Sequence, residues 1–180
     1  MVLVYKQFTG NDSAFEKLVD WLRKNDYKYT VTLDDSEVQD FESSRISFMK
    51  NITGNNTTIF PGYDHEHIGF LAYFNALGNQ PSKFRLFIQR VRDVIADFDN
   101  LNPVIQKFII NNHARCNNCG YCTQRSRGRQ KPYTIYARFE DHNHALCPIN
   151  YVYTYYWTQI NDELVECMIA FLTYFEEKFM

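Results

Sequence analysis

Ser82-Lys-Phe-Arg-Leu-Phe-Ile-Gln-Arg-Val-Arg-Asp-Val-Ile-Ala-Asp-Phe98 is the stretch whose periodicity decides between a helical and a sheet-rich chain. Phe84, Phe87, Ile88, Val91, Val94, Ile95 and Phe98 recur at steps of three and four. Lys83, Arg85, Arg90, Arg92, Asp93 and Asp97 fill the opposite side. That pattern predicts one amphipathic helix over 82–98. Beyond it, Asn102-Pro103 supplies an N-cap and a first-turn proline, so a second helix is expected to about Asn111. Tyr133 to Phe139 alternates as a strand, Asp141-His-Asn-His144 reads as a turn, and the aromatic run Tyr151 to Trp157 suits another strand. Asp162 to Lys178 predicts a closing helix with Leu164, Met168, Phe171, Leu172, Phe175 and Phe179 inward. Cys167 stands in register with Leu164 and Phe171 as a core residue.

On the N-terminal side, Ser13-Ala-Phe-Glu16 fits a capping box, and Phe15, Leu18, Val19 and Leu22 follow at helical spacing. A helix is expected from Ala14 to Lys24. Strands are expected over Tyr27 to Leu33, Arg45 to Lys50 and Thr57 to Phe60, the last two separated by the turn Thr53-Gly54-Asn55. The connection from Pro61 to Pro81 is read as holding a short helix through Phe70, Phe74 and Leu77. The order of elements predicts an α+β fold of mixed helices and short antiparallel strands, with a small zinc-ribbon-like C-terminal subdomain. The organisation expected is an α+β domain over 1–112 and a cysteine-cluster region over 113–180 that packs, with its closing helix, on the same core.

The chain has 180 residues, 45% of them hydrophobic and 17% aromatic, enough to build a core and too aromatic for a disordered protein. No run reaches the ~18 apolar residues of a membrane span. Met1 to Tyr5 meets Lys6 at once, too short for a signal-peptide core, so a cytoplasmic location is expected and no membrane partner. The N-x-Thr triplets at Asn51, Asn55 and Asn56 are then chance matches.

Cys116, Cys119 and Cys122 fall within seven residues, and 24 residues separate Cys122 from Cys147. Such grouping in a reducing compartment favours metal binding over disulfides. Cys116-Asn-Asn-Cys119-Gly120 has the form of a zinc knuckle, in which two thiolates across a tight turn point at one ion. His144-Ala-Leu-Cys147 repeats the gap, with an imidazole replacing one sulfur. Four ligands are needed and five are offered, Cys116, Cys119, Cys122, His144 and Cys147, with Cys122 or His144 completing the set. Zinc is the expected cofactor. A [4Fe–4S] cluster is the alternative, because Cys116-x-x-Cys119-Gly-x-Cys122 resembles the opening of a ferredoxin motif and Cys147-Pro148 its close. Thiol redox chemistry is a third reading. His113, just before the knuckle, is expected in the outer shell of the site.

Net charge is −2, but His113 to Phe139 carries Arg115, Arg125, Arg127, Arg129, Lys131 and Arg138 and no acid, leaving −8 on the rest. Arg125, Arg127, Arg129 and Lys131 are the candidate anion-binding set, for nucleic acid or another anionic partner, with Tyr121, Tyr133 and Tyr136 placed to stack on bases. The bland reading is a solvated loop. Asp64-His65-Glu66-His67 offers imidazoles and carboxylates to a second metal or a ligand, and a solvated loop again competes with it. Tyr151, Tyr153, Tyr155, Tyr156 and Trp157 suit either a small-molecule pocket or sheet packing. No phosphate-cradling glycine loop, Gly-x-Ser-x-Gly or His-Glu-x-x-His is present, so the reading leans away from an enzyme.

Phe15 to Asn25, Cys116, Cys119, Gly120, Cys122, Cys147 and the closing helix from Asp162 together resemble a family of small uncharacterised bacterial proteins with a C-terminal CxxC…C cluster. The resemblance covers the ends of the chain, with no match over Asn79 to Asn112. It implies a bound metal and supplies no activity.

Overall fold

A computed structural model describes residues 13–32, 44–51, 67–74, 81–88, 91–116, 134–147 and 154–180. The elements are α1 (Ser13–Lys24), β1 (Lys28–Thr32), β2 (Ser44–Asn51), β3 (His67–Phe74), β4 (Pro81–Ile88), α2 (Val91–Ala96), a 3-10 turn (Phe98–Asn100), α3 (Pro103–Asn112), β5 (Ile135–Phe139), β6 (His142–Leu146), β7 (Thr154–Trp157) and α4 (Asp162–Phe179). Helices with antiparallel strand pairs make this an α+β fold. The chain divides into two compact units, Met1–Phe87 with Tyr156–Met180, and Ile88–Tyr155. The division falls at 88 and 155, and α4 lies in the same unit as the N-terminal elements.

The stretch from Ser82 to Phe98 is not one helix. Its first half is β4, with Phe84, Leu86 and Ile88 buried and Lys83, Arg85 and Phe87 half-buried between them. Among its described residues, Val91–Ala96 is α-helical and Phe98 opens the 3-10 turn. Residues four apart share a face at both the helical and the strand period, so Phe84 and Ile88 fit either template. Leu86 fits only the strand and Phe87 only the helix, and pairing within a sheet decided for Leu86. The same override applies to β3. The helix expected through Phe70 and Phe74 is a strand paired antiparallel with β2, Phe48 opposite Phe70.

The larger sheet has the order β1-β2-β3-β4-β7. In the first unit, α1 and α4 pack together. Phe15 of α1 meets Phe70 at 6.2 Å and Phe84 at 5.7 Å between ring centroids, seating the helix on the sheet face that carries Phe48, Phe70 and Phe84. From α4 the buried set is Val165, Met168, Phe171, Leu172 and Phe175, so Val165 rather than Leu164 faces the core, and Cys167 is half-buried. On the other sheet face Gly69 lies opposite Met49, where a Cβ would sit 2.1 Å from the Met49 sulfur; the missing side chain lets that methionine lie across β3. The strands expected at Tyr27 to Leu33 and Arg45 to Lys50 form as β1 and β2, while Thr57 to Phe60 lies outside the described residues.

In the second unit α3 starts at Pro103, with the Asn102 side chain accepting from the Val104 N–H at 2.9 Å, the predicted cap. Ile105, Phe108 and Ile109 are its buried face. The hairpin β5–β6 turns through Glu140 and Asp141, both at positive φ (47° and 62°), a two-residue loop whose twist suits antiparallel strands. The turn therefore precedes His142, and His142 and His144 are strand residues rather than the turn expected at 141–144. No described helix is long and apolar enough to cross a membrane.

Candidate metal centre

The site is built where α3 ends. His113 is the C-cap residue, with its N–H on the Ile109 carbonyl and its backbone extended (φ −80°, ψ 138°). The chain leaves the helix extended and runs antiparallel to β6, with Arg115 bridged to Leu146. Two hydrogen bonds fasten it. The Cys116 N–H donates to the Ala145 carbonyl, and the Cys147 N–H donates to the Ala114 carbonyl, each at 2.8 Å.

This register settles which side chains share a face. Cys116 lies beside Ala145, and Cys147 is two residues beyond Ala145, so strand alternation puts both sulfur-bearing residues on one face as diagonal neighbours. The Cys116 Sγ reaches across β6 to Thr134 Oγ1 at 3.1 Å, placing it over the strand that leads to Cys147. Both residues are half-buried, and no disulfide joins them. Tyr136, opposite Ala145 and 75% exposed, belongs to the same outer face by its register. Arg138 follows it and pairs with Asp141 at 3.1 Å.

The opposite face points inward. Ala137 and Leu146 are buried there, and Phe139 meets Phe98 edge-on at 6.4 Å. His144, opposite Ala137, belongs to this face, away from Cys116 and Cys147. Its Nδ1 accepts from the Arg115 guanidinium, whose other nitrogen donates to the Ile110 carbonyl at 3.3 Å. Burial first, then that guanidinium, holds the His144 imidazole below its ordinary pKa.

His113 stands directly behind Cys147. It is 4% exposed, with Nε2 2.6 Å from the Cys147 carbonyl oxygen and Nδ1 2.9 Å from the Tyr155 hydroxyl. The sequence put it in the outer shell from position alone; its bond to the Cys147 carbonyl and the part of Tyr155 had no sequence signal. Of the two readings of the Tyr151 to Trp157 run, pocket or packing, Tyr155 takes the second. It is a buried residue, its ring 5.3 Å from that of Phe108, while Tyr156 is about half-exposed.

Cys119, Cys122, Arg125, Arg127, Arg129, Lys131, Tyr121, Tyr133, Tyr151, Tyr153, Asp64, His65 and Glu66 lie outside the described residues. His67 opens β3, with its backbone in register with Asn51. Among the described residues, no three His, Cys, Asp or Glu side chains gather as a metal site. Two cysteines on one face of paired backbone segments offer sulfur donors, and sulfur donors suit zinc or iron rather than hard cations. Comparison of the chain with protein-family models, with curated proteins and with solved structures finds no match.

Proposed function

We propose that this is a non-enzymatic, zinc-stabilised binding protein, with Cys116, Cys119, Cys122 and Cys147 as the four zinc ligands. One observation carries the reading. Residues 31 apart in sequence, Cys116 and Cys147, are brought side by side on one face by reciprocal backbone hydrogen bonds. Cys122 is preferred to His144 as the fourth ligand because His144 occupies the other face of β6 and holds Arg115. Four protein ligands leave no open position for substrate, so the metal serves structure.

The role assigned to the staple is to hold the basic segment with Arg125, Arg127, Arg129 and Lys131 against a single-stranded nucleic acid. Tyr136 supports this choice, because a solvent-exposed aromatic on the cysteine face offers a base-stacking surface. Binding of an RNA or DNA oligonucleotide is expected to weaken steeply between low and physiological salt. The combined Arg125→Ala, Arg127→Ala and Arg129→Ala variant should lose at least ~10-fold in affinity at unchanged zinc content. Absence of binding at low salt would eliminate the nucleic-acid role while leaving the zinc site standing. Iron in place of zinc would replace the structural site by an iron–sulfur centre.

A further inference from the structure

We infer that His113 and Tyr155 are positioning residues of the cysteine centre, setting the place of Cys147 before metal arrives; this rests on the metal reading above. The hydrogen bonds admit one proton arrangement for a neutral ring. A carbonyl oxygen can only accept, so the Nε2 that faces the Cys147 carbonyl carries the proton. Nδ1 then holds a lone pair, and the Tyr155 hydroxyl donates to it. Burial favours the neutral form of both partners. His113 is 4% exposed and Tyr155 1%.

The consequence lies in the Cys147 peptide. Its N–H is held by the Ala114 carbonyl and its C=O by His113 Nε2–H, and both partners lie between the end of α3 and Cys116. The segment that delivers one sulfur therefore grips the backbone that delivers the other. Both ring nitrogens are occupied, so His113 is not itself a ligand. It removes backbone freedom from Cys147, and Tyr155 fixes the tautomer that makes this possible. Preorganisation of this kind raises metal affinity by cutting the ordering cost of binding.

Two conservative variants separate positioning from simple filling of a buried site. In His113→Gln the amide N–H2 reaches about where Nε2 lies, keeping a donor for the Cys147 carbonyl. In His113→Asn the shorter amide oxygen stands near the Nδ1 position, keeping an acceptor for Tyr155 and losing the grip on Cys147. Cobalt(II) is the probe, titrated into the reduced, metal-free full chain and read by its thiolate charge-transfer and visible bands. Wild type should bind one cobalt. His113→Asn should bind about 10-fold more weakly, His113→Gln within about threefold of wild type, and Tyr155→Phe between the two.

Equal cobalt affinity in wild type, His113→Asn and Tyr155→Phe would overturn the inference. So would equal weakening in His113→Asn and His113→Gln, the pattern of a merely structural histidine. If His113→Asn fails to fold, Tyr155→Phe decides alone: wild-type affinity refutes the positioning role, and weakened affinity with unchanged far-ultraviolet dichroism supports it. Wild type that binds no cobalt is a different failure, because it removes the metal reading itself.

Discussion

The two units of this chain are stabilised in different ways. The first is a layered core: Phe15, Phe48, Phe70, Phe84, Phe171 and Phe175 are all buried, and ion pairs Lys17–Glu166 and Lys50–Glu176 fasten α4 to α1 and to β2 beside them. The second buries the α3 face and one side of a hairpin with five-residue strands. The other side of that hairpin carries Cys116, Cys147 and the exposed Tyr136. A two-stranded ribbon with one wet face is marginal in water. On the proposed zinc reading, the metal supports the second unit, where the apolar area is short, and the first unit does not depend on it.

The largest expected effect sharpens this contrast. Stripping metal with a chelator should raise hydrogen exchange across 134–147 and leave α1 and α4 protected, since structural zinc contributes on the order of 10 kcal/mol in small zinc-dependent units. Equal loosening of both units would break the comparison. Next, Phe70→Ala removes a ring lying 6.0 Å from Phe84 and should cost the first unit about 3–5 kcal/mol at constant zinc content, measured by denaturant unfolding with metal analysis.

Asn102→Ala deletes the side-chain acceptor for the Val104 N–H, and should lower the stability of the second unit by about 1 kcal/mol, seen as faster exchange along α3. The smallest effect is confined to alkaline solution. Burial, then the Glu176 carboxylate, pushes the Tyr27 hydroxyl above the usual phenol range. The unfolded chain releases that proton as pH rises through about 10 while the folded chain keeps it, so stability falls above pH 10. Tyr27→Phe should flatten that fall in the first unit and change nothing that depends on metal.

The sequence was most readable where local signals and tertiary structure agree. The capping box before α1, Asn102-Pro103 before α3 and the amphipathic run from Asp162 each mark a helix whose apolar face is the one buried. It misled at 82–98 and around Phe70, where an apolar run satisfies both periods and only strand partners distant in the chain choose between them. The nearness of Cys116 and Cys147 was expected from cysteine spacing, and the backbone pairing of 114–116 with 145–147 provides it. The faces were not legible. Placing the turn at 141–144 hid the fact that His144 alternates away from Cys147, and the two-residue loop at Glu140 and Asp141 is what reverses it. The link from His113 to Tyr155 crosses 42 residues and leaves no periodic trace.

Metal content bears most directly on all of this. Protein purified without added metal, beside its Cys147→Ser variant, should contain one zinc per chain in the wild type and none in the variant. A metal-free wild type, a brown iron-containing one, or a Cys147→Ser variant that keeps its zinc would contradict the account.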